Sequence, residues 1–294
     1  MDSIPKAVGL TVGAPIGASL ILLWLLWARS RDAVRLAELA TAALLPGVFL
    51  VFGTLGTGDA PFPPRRGSDW LLPLAGAGAV LGLLTALVPT PGATSLRILR
   101  SLLVWLARGA LLAGFMALMA RNALDAWGTG EALQRVGGWT LAGLAAWWGV
   151  ERLARTPGPI PPLLLVVVCT GASIGIAPTG PVRLAILAAG VCACVGPAML
   201  VAFRRPYFRL GAAASFVPAF LGGLWFITTT FNEAPIPAAA LLALACVLGG
   251  VTTLGPLARL SGGTRWGVHL ACVGIPTLGS IAWVVGTQPL PGMD

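Results

Sequence analysis

Charge is scarce in this 294-residue chain. Asp, Glu, Lys and Arg make up 10% of it, against 57% apolar residues. A water-soluble domain carries about 25% charged residues, so a soluble fold of this length is excluded. Histidine occurs once, at His269, and a metal site or proton relay built on histidine needs partners that a lone ring lacks. Lysine occurs once, at Lys6, and no phosphate-cradling glycine loop is present. The five cysteines (Cys169, Cys192, Cys194, Cys246 and Cys272) all lie in apolar stretches, with no C-x-x-C spacing. They read as small packing residues rather than zinc ligands or disulfide halves. No metal and no cofactor is expected. The net charge of +9 comes from arginines scattered over short connectors, with no contiguous tract. It points to loops facing an anionic leaflet, not to nucleic acid.

What is present is a series of ten apolar stretches, at 8–28, 37–56, 70–88, 102–122, 137–154, 162–178, 182–203, 210–230, 238–257 and 266–286. A membrane helix needs roughly 20 apolar residues, so the length accommodates about ten spans and little else. The fold class expected is all-α: a polytopic integral membrane helix bundle forming a single transmembrane domain over 1–294, with halves at 1–155 and 156–294. The first stretch has Lys6 before it and Arg29, Arg31 and Arg35 after it. A cleavable signal has the opposite bias, so this stretch reads as a retained first helix. Prolines punctuate the connectors, as in Pro61-Phe62-Pro63-Pro64 and Pro235-Ile236-Pro237, where the missing amide and the ring stop a helix.

Basic residues alternate. Connectors 29–36, 89–101, 155–161, 204–209 and 258–265, with Arg152, hold twelve, whereas the opposite side holds six: Lys6, Arg65, Arg66, Arg121, Arg135 and Arg183. Asp2, Asp59, Asp69, Asp125, Glu131, Glu233 and Asp294 sit with the second set. The side richer in Lys and Arg faces the cytoplasm, which predicts both termini outside; short loops and arginine in place of lysine fit a bacterial cytoplasmic (inner) membrane. Tryptophan agrees: Trp24, Trp27 and Trp266 lie near cytoplasmic helix ends, and Trp70, Trp127 and Trp139 near outer ends, where indole rings favour the interface.

Ionisable groups inside a membrane are functional suspects. Arg108 is the obvious one. Twelve residues separate it from Arg121, roughly 20 Å along a helix axis. Snorkelling of both to opposite interfaces is the first expectation; burial, with Glu38 or Glu151 as partner, is the second. Gly171-Ala172-Ser173-Ile174-Gly175 matches the G-x-S-x-G pattern of hydrolases, but in an apolar helix the glycines more simply allow close packing. Ser173 and His269 fall at different depths, against a serine–histidine pair. Gly9, Gly13 and Gly17 in helix 1 and Gly78 and Gly82 in helix 3 have the spacing of packing seams. The polar run Thr228–Glu233 reads as the solvated, capped end of a helix.

Gly13-Ala14-Pro15-Ile16-Gly17 matches Gly171-Ala172-Ser173-Ile174-Gly175 at four of five positions. These stretches open the first and second sets of five helices, and Pro46-Gly47 and Gly196-Pro197 interrupt helices 2 and 7. Paired interruptions of this kind accompany inverted repeats and midplane binding sites. The expected function is therefore a carrier or exporter of a small neutral or amphipathic solute. Its candidate binding residues are Gly13, Pro15, Gly17, Thr170 and Ser173, and its candidate intramembrane charges are Arg108, Glu38 and Glu151. No catalytic residue is assigned. The alternative is a non-catalytic subunit of a larger membrane complex, docking other subunits through helix faces. An enzyme acting on lipid-linked substrates would need acids and bases converging at one interface, for which Glu38, Glu151 and the cytoplasmic arginines are the candidates.

Overall fold

A computed structural model describes residues 3–28, 34–57, 64–88, 92–178 and 181–287. Among these, helix is the only regular structure. Several positions used above for topology lie outside the described residues: Asp2, Arg29, Arg31, Asp59, Pro61-Phe62-Pro63 and Asp294.

Helices α1 (Ser3–Val8) and α2 (Ala14–Ala28) are joined without a break through a π-helical turn, Gly9–Gly13. Pro15 follows that turn and has no amide hydrogen for the carbonyl four residues back; the wider turn accommodates this. Helix α3 (Val34–Thr57) continues through Pro46. A 3-10 turn, Gly67–Trp70, leads into α4 (Leu71–Leu87), and α5 (Thr94–Leu124) follows at 31 residues. The short α6 (Thr129–Ala132) passes through a second π-helical turn, Leu133–Gly137, into α7 (Gly138–Ala154). Helix α8 (Ile160–Ile176) is unbroken, and α9 (Val182–Arg204) continues through Pro197. A 3-10 turn, Gly211–Ser215, opens α10 (Phe216–Phe231), which is followed by α11 (Ile236–Val251) and α12 (Gly262–Thr287).

Seven segments are long and apolar enough to cross a membrane: Pro5–Ala28, Val34–Gly56, Gly67–Leu87, Thr94–Leu124, Val182–Arg204, Gly211–Phe231 and Gly262–Thr287. The other three expected spans fall short for identifiable reasons. Helices α8 and α11 have 17 and 16 residues, roughly 25 Å at 1.5 Å each, against a hydrocarbon core of about 30 Å. The rod through α6 and α7 carries Glu131, Arg135, Glu151 and Arg152. The apolar, all-helical fold is consistent with an integral membrane protein.

Helix α10 lies at the centre. It is apolar all round, and every residue from Phe216 to Thr228 is buried, as such a helix requires. It packs on α4, α5 and α7, while α9 packs on α2, α3 and α8, and α11 on α7 and α12. Close approach depends on small residues. A Cβ at Gly78 would lie 2.5 Å from the Ala219 Cβ, and one at Gly82 would lie 2.5 Å from the Ser215 Cβ. The Gly78/Gly82 seam of α4 thus meets Ser215 and Ala219 of the α10 rod. At the α7–α11 crossing, a Cβ on Gly149 would strike the Cys246 carbonyl.

The glycines of the first rod behave otherwise. Gly9, Gly13 and Gly17 have nothing within 4 Å of a built Cβ, so they form no seam with a neighbour. Here the neighbours supply the small residues: Gly56 of α3 and Gly190 of α9 make room for Thr11. Helix α2 packs along α9, and α10 along α7.

Candidate functional site

A cleft of about 530 Å³ opens where α4 ends and α5 begins. One wall is a single face of α5: Arg97, Arg100, Ser101, Val104, Trp105 and Arg108. Their spacing of i, i+3, i+4, i+7, i+8 and i+11 stacks them along three turns, a depth of roughly 16 Å. The opposite face of α5 presents Leu99, Leu102, Leu103 and Leu106, each more than half exposed, as lipid contact requires. Gly82, Thr85 and Ala86 of α4 line the second wall, Glu151 and Arg155 of α7 the third, and Gly211, Ala212 and Ser215 the inner end, with Arg35 of α3 also lining the cleft.

Arg108 forms the deep end. Its side chain is 3% exposed and pairs with Glu151, which also receives Arg155 at 2.7 Å. The guanidinium lies 4.7 Å from the Trp105 ring centroid and 5.1 Å from that of Trp147, so aromatic faces share in stabilising the charge. Its Nε–H has no partner among the described residues. Arg108 therefore does not run out along the lipid face, contrary to the first expectation from spacing. It turns inward because Glu151, one helix away, offers a compensating charge that lipid cannot. Glu38, the other partner considered, lies instead within electrostatic reach of Arg209. Nearer the mouth, Arg100 donates to the Thr85 and Val88 carbonyls at 2.6 and 2.8 Å. It thereby satisfies the C-terminal carbonyls that α4 leaves open.

The same face of α5 continues below Arg108 as an apolar constriction. Leu112 and Met116 are fully buried. A Cβ on Gly143 of α7 would lie 3.0 Å from Leu112, and one on Gly222 of α10 would lie 3.4 Å from it. The Thr140 hydroxyl meets the Met116 sulfur at 3.6 Å. Beyond the constriction, Met119, Asn122 and Ala123 line a second cavity of about 350 Å³, with Arg66, Gly67 and Ser68 before α4 and Phe231 and Asn232 after α10. Beside it, Asp69 holds the α3–α4 connector to α9. Its carboxylate accepts from Arg183 at 3.0 Å and from the Arg66 amide at 2.9 Å.

The residues expected from the glycine-proline match line neither of the two cavities described above. Gly13 and Gly17 are exposed, and Pro15 is buried in the α2 packing. Thr170 is exposed and meets the Cys192 sulfur at 3.4 Å; Ser173 donates to the Ala185 carbonyl at 2.9 Å. Both hydroxyls are thus taken up by α9. Ser173 and His269 are not hydrogen-bonded to each other; His269 Nδ1 meets the Arg265 carbonyl at 2.8 Å. The five cysteines are free thiols, and no group of metal-ligating side chains occurs among the described residues. Thr228 and Thr229 bond back to carbonyls of their own helix.

Sequence reasoning singled out Arg108 and Glu151, whereas Arg35, Arg97, Arg100 and Arg155 entered as topology markers and, collectively with the other cytoplasmic arginines, as candidates for an interfacial enzyme. The spacing of residues 97 to 108 was the available signal, a polar stripe on an otherwise apolar helix. No family model, curated protein or solved structure matches the chain.

Proposed function

We propose that the chain is an integral membrane carrier for an amphipathic solute, whose polar head follows the inward face of α5. The carrying observation is the continuity of that face. It lines a polar cleft from Arg97 to Arg108, a buried apolar constriction at Leu112 and Met116, and a second cavity at Met119 to Ala123. Two cavities at opposite ends of one helix, separated by a packed apolar layer, are what alternating access needs. Buried charge at membrane depth is costly and marks pathways, and the Arg108–Glu151 pair lies next to the constriction.

In this reading the chain crosses the membrane ten times as one domain, with both termini outside and the arginine cleft facing the cytoplasm. Contacts between helix ends support the alternation. The Gly158 amide donates to the Phe208 carbonyl at 2.9 Å, and Phe203 stacks on Trp266. All four belong to ends assigned to the cytoplasm. Arg183 with Asp69, and Trp127 with Phe231, likewise join ends assigned outside. Short spans such as α8 and α11 are accommodated by local thinning of the bilayer or by their flanking turns.

Cysteine accessibility in a cysteine-free background tests the pathway. Val104→Cys is expected to react with a water-soluble maleimide from the cytoplasmic face of vesicles, and Asn122→Cys from the outer face. A Val104→Cys that reacts from neither face refutes the pathway. The second reading, a non-catalytic subunit, draws on the dense packing around α10. Its signature is a partner chain co-purifying in fixed ratio after mild extraction.

A further inference from the structure

The central helix α10 is buried on every side, and Trp225 puts a polar group inside it. The indole is 1% exposed, and its Nε1–H has no acceptor among the described residues. A buried indole N–H ordinarily finds a partner, because one left unmade carries its full desolvation cost. On α12, Ser280 is also 1% exposed, and its hydroxyl likewise has no partner among the described residues. Other buried hydroxyls satisfy themselves locally: Thr41, Thr228 and Thr277 each donate to a carbonyl of their own helix. Ser280 does not, so its donor is left for another acceptor.

These two residues line one cavity, of about 20 Å³, beside the α10–α11 connector at Ala234 and Pro235. Thr228 lines it as well. Its hydroxyl donates to the Leu224 carbonyl at 2.9 Å, which leaves the oxygen free to accept. Two unpartnered donors and one acceptor therefore border a single small space. A water needs roughly 10–15 Å³ and two to four polar partners, and the cavity offers both. Gly175 of α8 and Val284 of α12 complete this wall. A Cβ on Gly175 would lie 3.8 Å from the Val284 Cγ2, an ordinary contact, whereas one on Gly171 would strike the Thr277 methyl. The two glycines of the Gly171–Gly175 segment thus differ: the first lets α12 approach, and the second borders the cavity.

We propose that this cavity is a binding site for an ordered water. The water oxygen accepts from the Trp225 Nε1–H and the Ser280 hydroxyl, and the water donates to the Thr228 oxygen. That is the number of hydrogen bonds a buried water typically makes, about three. The bridge ties the central helix α10 to α12, supplying a partner that neither helix offers the other. The cavity is too small for a carried solute, so the site goes beyond the carrier reading and does not depend on it.

A crystal structure of the full chain grown from a lipid mesophase, at a resolution that orders waters, tests this. Density is expected in the cavity at about 2.7–3.2 Å from both Trp225 Nε1 and Ser280 Oγ. A purely apolar cavity stays dry and takes up xenon under pressure. Xenon in the cavity, or no density there, overturns the proposal. The Trp225 indole N–H resonance, assigned by its loss in Trp225→Phe, gives a second reading in phosphatidylcholine nanodiscs. Ser280→Ala keeps the space and leaves the water its bonds to Trp225 and Thr228, whereas Ser280→Val fills the space with methyl groups and expels it. The indole proton is expected to shift upfield further in Ser280→Val than in Ser280→Ala, and its cross-relaxation with water to be lost in Ser280→Val alone. Equal responses in the two variants, or an indole without water cross-relaxation in the parent, overturn the proposal.

Discussion

Replacing Glu151 with alanine strips Arg108 of its carboxylate while leaving the guanidinium inside the bundle. Removing one partner of a fully buried ion pair costs about 3–5 kcal/mol, because the survivor remains charged and desolvated. Here Glu151 is 27% exposed at its side chain and the cleft above Arg108 admits water, so screening reduces the figure to about 2–3 kcal/mol. Trp105 and Trp147 keep their contacts with Arg108 and prevent a larger loss. Arg108→Met is expected to cost less, about 1 kcal/mol, since Glu151 retains Arg155 and solvent. The double variant Glu151→Ala/Arg108→Met removes both charges and fills the space with an apolar chain of similar length. It is expected within about 1 kcal/mol of the parent, as in other replacements of buried pairs by apolar residues. The assay is denaturant titration of the purified protein in a mild detergent, read by tryptophan fluorescence. A Glu151→Ala variant within about 0.5 kcal/mol of the parent would refute the reasoning, as would a double variant no more stable than Glu151→Ala. Either outcome means that Arg108 does not depend on Glu151 for its charge compensation.

Other consequences are equally direct. Gly149→Ala places a methyl group on the Cys246 carbonyl and is expected to cost about 1–3 kcal/mol by forcing α7 from α11; Gly13→Ala and Gly17→Ala, facing open space, should stay within about 0.5 kcal/mol. The same denaturant titration compares them. Asp69→Ala leaves the Arg66 amide and the Arg183 guanidinium without their acceptor, and a loss of about 2 kcal/mol is expected, read as a lowered melting temperature that Arg183→Ala shares in part. For topology, Asp59→Cys should label from outside and Arg205→Cys from the cytoplasm in a cysteine-free background; labelling of both from one side would sink the ten-span scheme.

The helix 1 residues show what a local pattern specifies and what it leaves open. The Gly13–Gly17 match to Gly171–Gly175 is real as sequence, and the π-helical turn before Pro15 shows that the backbone is unusual there. Its small residues nevertheless face outward, and Thr170 and Ser173 are committed to α9. Small-residue spacing says that a close approach is sterically permitted. It does not say whether another helix takes it up, and the same spacing gave a real seam at Gly78 and Gly82.

The sequence by itself determined the helical, apolar character of the chain and roughly where most helices lie, although α5 begins at Thr94 rather than 102 and α11 ends at Val251 rather than 257. Those features are local: twenty apolar residues bury their own backbone hydrogen bonds within one helix, and prolines and charged connectors end it. It also carried the polar stripe on α5, because residues 97 to 108 share one helix and its period. Only the tertiary structure decided that Arg108 pairs with Glu151, 43 positions away, and that Arg35, Arg97 and Arg155 line one cleft. Helix neighbours in such a bundle are chosen by complementary surfaces, as where Gly78 meets Ala219 or Gly149 meets Cys246. That complementarity belongs to pairs of distant segments, and no single stretch of sequence contains it.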